Sequence, residues 1–91
     1  MLLEEWQLAP EVAIRPEPFG ALAYDFGTRR LTFLKRPELV SVVTSLAGSP
    51  DLRSALEASA VPQSEWPAYL SALRALARAG TIRPRPVEAL A

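Results

Sequence analysis

The 91-residue sequence contains no cysteine and no histidine. Disulfides, thiolate nucleophiles, imidazole bases, zinc sites and c-type haem attachment are therefore excluded. Ten Lys and Arg residues balance ten Asp and Glu residues, so the chain lacks the net positive charge that drives binding to nucleic acid or to anionic membranes. No apolar run approaches the ~20 residues of a membrane span. These absences favour a small module without catalytic residues, metal or cofactor.

The composition that is present is that of a single small globular domain. About half of the residues (49%) are hydrophobic and 22% are charged, which is typical of a folded chain. Residues 1–10 carry acids where a signal peptide needs bases, so we expect a cytoplasmic protein. We expect an N-terminal arm at residues 1–10, a domain at residues 11–84 and a C-terminal tail at residues 85–91.

Residues 11–35 predict three antiparallel strands. In the second strand, Leu22, Tyr24 and Phe26 alternate with small or polar residues and so share one face. The third strand places Leu31 and Phe33 on one face and the residues between them on the other. Residues rich in Pro and Gly precede the second strand, and a short connection joins it to the third.

Residues 36–80 predict three helices. Apolar residues recur at helical spacing in each of them, and the third, which runs to residue 79, is the longest. Gly48 and Gly80 are predicted to end the first and third helices. The predicted fold class is therefore α+β, in a winged-helix-like arrangement in which a three-stranded antiparallel N-terminal sheet is followed by a three-helix bundle.

The stretch VAIRPEPFGALAYDF at residues 12–26 resembles the mycofactocin biosynthesis chaperone family, within the pyrroloquinoline quinone chaperone-like class of precursor-peptide recognition domains. The similarity extends over about residues 10–84 and includes the end of the third helix. The resemblance implies a non-catalytic protein that binds the leader of a ribosomally made precursor peptide. It also implies that this protein presents the peptide to a radical S-adenosylmethionine enzyme.

The resemblance further implies that the peptide adds as a strand beside the third strand, in a groove against the third helix. An open edge strand offers unpaired backbone groups for this pairing. We expect strand pairing along residues 31–35, apolar contacts from the aromatic and leucine residues, and charge contacts from the arginines. The predicted peptide-binding residues are Arg30, Leu31, Thr32, Phe33, Leu34, Lys35, Tyr69, Leu70, Leu73, Arg74, Ala77 and Arg78.

Three other interpretations stay open on the residues alone. A winged-helix DNA-binding regulator shares the element order, although its recognition helix would need more outward bases than Arg74 and Arg78. A subunit that only scaffolds an enzyme is a second alternative. In both cases the apolar stripe of the third helix would be ordinary core packing. An unpaired edge strand also makes a homodimer possible.

Overall fold

The computed structural model describes residues 1–86 of the chain, which form antiparallel strands and three α-helices, as predicted. The tail predicted at residues 85–91 lies outside the described residues from residue 87 onward. Short 3₁₀ turns at Leu46–Gly48 and Gln63–Glu65 precede α2 and α3. The elements are β1 (Trp6–Leu8), β2 (Val12–Glu17), β3 (Gly20–Asp25), β4 (Leu31–Leu34), α1 (Pro37–Ser45), α2 (Leu52–Ala58), α3 (Trp66–Ala79) and β5 (Ile82–Pro84).

The predicted three-stranded sheet is present, in the order β2-β3-β4 with antiparallel neighbours. Its register is set at the β3–β4 turn by Asp25. The Asp25 carboxylate accepts hydrogen bonds from the backbone N–H groups of Gly27 (2.8 Å) and Thr28 (3.1 Å). The Asp25 N–H donates to the carbonyl of Arg30 at 2.9 Å. These contacts place Leu22 of β3 opposite Phe33 of β4.

The β2–β3 connection requires glycine at position 20. Gly20 has φ +155°, a region that L-residues rarely adopt. A Cβ at this position would collide with the backbone carbonyl of Leu34 on the neighbouring strand. Glycine therefore permits both the turn and the close approach of β3 and β4.

The expectation of a single sheet is wrong, because β1 and β5 form a second, two-stranded antiparallel sheet. Trp6 lies opposite Pro84 and Leu8 opposite Ile82. The residues that precede β1 also contact α2, since the carbonyls of Leu2 and Glu4 accept hydrogen bonds from N–H groups in its first turn. The sequence does not reveal this sheet because each strand has three residues, too few to show alternation, and they lie at opposite ends of the chain.

The helices bury one apolar stripe each, and these stripes form the main hydrophobic core with Leu34 and Ile82. The stripe of α3 comprises Trp66, Tyr69, Leu73 and Leu76, hereafter the α3 core stripe. The α3 helix ends at Gly80, which has the left-handed conformation (φ 82°) typical of a C-terminal cap. Gly48, predicted as the corresponding cap of α1, instead lies within a 3₁₀ turn.

The β3 strand turns its small side chains toward the core and its large ones outward. Ala21 and Ala23 of β3 are buried, whereas Leu22 and Tyr24 are half-buried and Phe26 is 65% exposed. The cross-strand register puts Leu31 and Phe33 of β4 on the same outer side. The predicted sharing of faces is therefore present, and the aromatic side is the one away from the core.

The α2 helix begins at an acidic cap. The Asp51 carboxylate accepts a hydrogen bond from the Ser54 N–H at 2.8 Å. Hydrogen bonds from the Ser54 backbone and side chain lower the pKa of Asp51 from its usual value, and the charge of Arg53 acts in the same direction. Because the folded pKa lies below the unfolded one, this cap stabilises the fold above the unfolded pKa and loses its effect as the pH falls through the folded pKa.

Substitution of Gly20 and of Gly48 should separate turn strain from ordinary glycine effects. We expect Gly20→Ala to lower the free energy of unfolding by about 2 kcal/mol or more, through the disallowed φ and the clash with Leu34. Gly48→Ala meets no atom within 4 Å and should raise stability slightly, by about 0.5 kcal/mol. Urea denaturation measures both, and equal midpoints for Gly20→Ala and the parent chain would contradict the proposed clash.

Replacement of Asp51 should change the response to acid. The Asp51→Asn variant keeps a capping oxygen but does not titrate. We expect the parent chain to lose stability relative to this variant as the pH falls through the lowered pKa of Asp51. Thermal unfolding of both chains from pH 7 to pH 3 measures the difference. Two curves that run parallel over this range would show that the cap does not contribute charge-dependent stability.

Candidate functional site

The β4 strand is an edge of its sheet in the described part of the chain. The backbone N–H and C=O groups of two of its residues point away from β3. Residues of an antiparallel pair alternate between positions that exchange hydrogen bonds and positions that do not. The bond from the Asp25 N–H to the Arg30 carbonyl fixes this alternation. Thr32 and Leu34 therefore bond to β3, whereas the N–H and C=O groups of Leu31 and Phe33 point away from it.

The opposite edge, β2, is less suited to strand pairing. The Phe26 N–H donates to the Glu11 carbonyl at 2.8 Å, so Val12, Ile14 and Pro16 hold the outward positions of β2. Proline has no N–H, and the Val12 N–H is already bonded to the Ala9 carbonyl. Ile14 therefore supplies the one outward N–H of this strand that is available for a partner strand.

An open groove of about 340 Å³ lies beside β4, between this strand, the start of α1 and one side of α3. Three of the predicted residues, Phe33, Lys35 and Tyr69, line it together. Four lining residues were not predicted, namely Arg36, Leu39, Ala68 and Ala72. Ala68 and Ala72 have helical spacing beside the α3 core stripe, which is the signal in the sequence that could have identified them.

Two of the predicted residues lie in the core instead. Leu34 is 1% exposed and Leu73 is fully buried. Thr32 is half-buried on the same inner side of the sheet as Leu34, opposite Ala23. Substitutions at Leu34 or Leu73 would consequently test the stability of the fold rather than contacts in the groove.

The structure separates the remaining helical residues from the groove. Successive residues of an α-helix are rotated by about 100°, so Ala68 and Ala72 flank the α3 core stripe on one side. Arg74, Ala77 and Arg78 flank it on the other. There they line a second cavity, of about 370 Å³, with Met1, Glu4 and Trp6. Leu70 faces the same N-terminal segment, in an adjoining cavity with Leu2 and Leu3.

The charges near β4 are mostly basic. Arg30 lies exposed at the start of the strand and Lys35 at its end. Within the described residues neither has a carboxylate oxygen within 4.0 Å, whereas Arg36 pairs with Glu65 at 3.4 Å. Both ends of the strand therefore present cations to a ligand that lies along it, and such rim charges act mainly on association rate and register.

The described residues contain no group of three or more acidic side chains arranged to hold a metal ion. No helix among residues 1–86 is long and apolar enough to cross a membrane. The groove and the adjoining β4 edge present outward backbone groups, apolar side chains and cations.

Comparison with known proteins agrees with the resemblance seen in the sequence. A model of the peptide chaperone MftB family matches residues 5–83. Three similar curated proteins are each named Peptide chaperone MftB. The protein of Mycobacterium ulcerans (strain Agy99) is 51% identical over 83 residues, which cover 91% of this chain and 76% of the relative. That of Mycobacterium tuberculosis (strain ATCC 25618 / H37Rv) is 50% identical over 80 residues, with 88% and 73% covered.

The third, from Mycolicibacterium smegmatis (strain ATCC 700084 / mc(2)155), is 52% identical over 79 residues, which cover 87% of this chain and 78% of the relative. No solved structure matches the chain significantly. The family model covers most of the chain, including every strand and helix of the fold except the last residue of β5. The chain therefore belongs to the peptide chaperone MftB family.

Proposed function

We propose that this chain is a non-catalytic peptide chaperone of mycofactocin biosynthesis. It binds the leader of a ribosomally made precursor peptide as an added strand beside β4 and presents it to a radical S-adenosylmethionine enzyme. Membership of the peptide chaperone MftB family supports the general role. The observation that carries the binding mode is the outward N–H and C=O groups of Leu31 and Phe33 next to an apolar groove.

Strand addition at this edge needs both the backbone bonds and the groove. The two outward residues offer about four backbone hydrogen bonds, each contributing about 1 kcal/mol net. Association costs at least about 4 kcal/mol in lost freedom of motion. The two terms nearly cancel, so affinity depends on the apolar side chains that the peptide buries against Leu39, Tyr69 and Ala72. In an added strand every second side chain points toward the groove, so the preference for a leader sequence arises from those alternate side chains.

Lys35 and Arg30 favour a leader with carboxylates near both ends of the paired segment. These cations lie at opposite ends of β4 and are exposed, so they attract an acidic peptide over distances of about 8–10 Å at physiological salt. Arg74 and Arg78 line a cavity on the other side of α3, so the proposed peptide site does not include them.

The DNA-binding alternative has little support. A recognition helix must present several cations or amides to base edges and phosphates. On α3 the cations are Arg74 and Arg78, which face a cavity shared with the N-terminal segment. With a formal net charge of zero, the chain also lacks the phosphate-neutralising term of such complexes.

Amide hydrogen exchange tests strand addition residue by residue. On saturation with a synthetic leader peptide, we expect exchange at the Leu31 and Phe33 amides to slow at least tenfold, because an added strand would accept from them. The outward Ile14 amide of β2 should keep its rate and serves as the matched control. The strand-addition model fails if Ile14 gains protection instead, or if Leu31 and Phe33 exchange as fast with peptide as without it.

Two alanines on α3 distinguish the β4 groove from the opposite side of the helix. Ala72 and Ala77 are both half-buried, but Ala72 lines the groove and Ala77 lines the cavity with Trp6. We expect Ala72→Glu to weaken leader binding at least tenfold, since it places a charge in the apolar groove and repels an acidic leader. Ala77→Glu should change the affinity less than twofold.

Isothermal titration calorimetry measures both affinities, and circular dichroism establishes that each variant is folded. An equal or larger loss for folded Ala77→Glu would assign the peptide to the N-terminal side of α3 and contradict the proposed groove.

A further inference from the structure

The outer side of the three-stranded sheet carries a concentration of exposed apolar side chains. Of the five large hydrophobic residues exposed among residues 1–86, Phe19, Phe26, Leu31 and Phe33 lie on this one surface, and Leu3 lies elsewhere. With the half-buried Leu22 and Tyr24, these four form what we term the aromatic face. The largest contiguous apolar patch on a protein is often a functional surface.

The side chains of the aromatic face are held in place by one another. The Phe19 and Phe33 rings lie 5.7 Å apart, and the Tyr24 and Phe26 rings meet edge to face at 4.7 Å. Tyr24 also lies opposite Leu31 across the β3–β4 pair. Cross-strand and aromatic pairs of this type restrict rotamers in the free protein. A partner would therefore meet an ordered surface of the residue types that dominate binding energy in interfaces.

The size of the face argues against a stable dimer formed through it alone. Three strands of four to six residues span at most roughly 14 by 20 Å, on the order of 300 Å². A standard interface buries about 800 Å² on each partner. A partner that also covers the surface next to the face, at the β4 edge, would reach the contact area of a standard interface. Phe33 belongs both to the aromatic face and to the groove, so a peptide strand added at β4 would continue the same surface.

The charges around the face favour a partner other than a second copy of this chain. Arg29 lies exposed at the β3–β4 turn and Lys35 at the far end of β4, and no carboxylate oxygen of residues 1–86 lies within 4.0 Å of either. On the β2 side, Glu17 pairs with Arg15 at 3.6 Å and Glu11 is exposed. The unpaired cations thus lie on the β4 side and the exposed Glu11 carboxylate on the β2 side, which fits a partner with an apolar centre and carboxylates beside β4.

We propose that the aromatic face is the docking surface for the radical S-adenosylmethionine enzyme, which covers the sheet and the added peptide strand together. This inference rests on the proposed function, and it assigns to the enzyme a surface that shares only Phe33 with the peptide groove. Because the peptide contributes part of the joint surface, the enzyme binds the peptide-loaded chaperone more tightly than the free chaperone. By thermodynamic reciprocity, the enzyme also tightens peptide binding by the same factor.

A serine substitution at Phe26 tests the assignment. Phe26 is 65% exposed, lies at the end of the face away from the groove and lines no part of that groove. We expect Phe26→Ser to weaken binding of the enzyme to the peptide-loaded chaperone about tenfold or more. Its affinity for the leader alone should change less than twofold. Leu3→Ser removes a comparably exposed apolar side chain off the face and should leave both affinities unchanged, and Phe26→Leu should restore most of the enzyme binding.

The experiment uses purified chaperone, a synthetic leader peptide and the radical S-adenosylmethionine enzyme that modifies the corresponding precursor. Calorimetry gives the two affinities, and circular dichroism establishes the fold of each variant. If Phe26→Ser retains the parent affinity for the enzyme, the face is wrongly assigned. The same holds if the substitution lowers the affinity for the peptide as much as the affinity for the enzyme. Equal enzyme affinities for free and loaded chaperone would contradict the joint surface.

Two further outcomes of the experiment would point to a different cause, namely failure of presentation or dimerisation through the face. If the parent chaperone binds the leader but not the enzyme, presentation itself fails and this inference fails with it. If sedimentation shows a parent dimer that Phe26→Ser dissociates, the face belongs to a second copy of this chain and the assignment to the enzyme is overturned.

Discussion

The pairing register of β3 and β4 is the constraint on which the other features depend. In a strand the side-chain direction alternates with every residue, so a slip of one position would exchange the two faces and the two edges together. With the register set at Asp25, Leu34 enters the core and Ala21 faces the helices. The same register turns the aromatic side chains outward and directs the backbone groups of Leu31 and Phe33 away from β3. The Asp25 carboxylate, which accepts two turn N–H groups, and Gly20, which permits close strand contact, therefore determine the geometry of both proposed binding surfaces.

Prolines restrict strand addition at two of the other edges, β2 and β5. Pro16 occupies an outward position of β2 and thus removes a donor there without loss of an internal hydrogen bond. In the second sheet, the Arg85 N–H donates to the Glu5 carbonyl and the Ala9 N–H to the Thr81 carbonyl. By the same alternation, Pro84 holds an outward position of β5. Within the described residues, β4 is the longest edge strand with no proline among its own residues, so it is the edge least obstructed for strand addition.

Much of this arrangement could be predicted from local sequence. The start of α1 at Pro37, the end of α3 at Gly80, the alternation of β3 and the β4 strand all depend on neighbouring residues and follow from them. The end of α1 does not, because the helix stops at Ser45, before the predicted cap Gly48. The β1–β5 sheet depends on contact between opposite ends of the chain and left no periodic signal. The position of Arg74 and Arg78 was also beyond local sequence, because helical spacing defines the α3 core stripe but not which side of it packs beside β4. Leu34 and Leu73 fit an apolar groove and an apolar core equally well by type, and only their burial separates the two roles.

A short strand anchored on one side and open on the other is well suited to reversible peptide binding. The side chain of Leu34 and its bonds to β3 hold β4 in an extended conformation before any peptide arrives, so the cost of ordering falls on the peptide alone. Since the backbone bonds nearly cancel the cost of association, modest changes in groove contacts shift the affinity over a wide range. An enzyme that binds next to the same strand can then add or remove a small increment and thereby retain or release the peptide. The residue through which such an increment would act is Phe33, because its ring belongs to both surfaces.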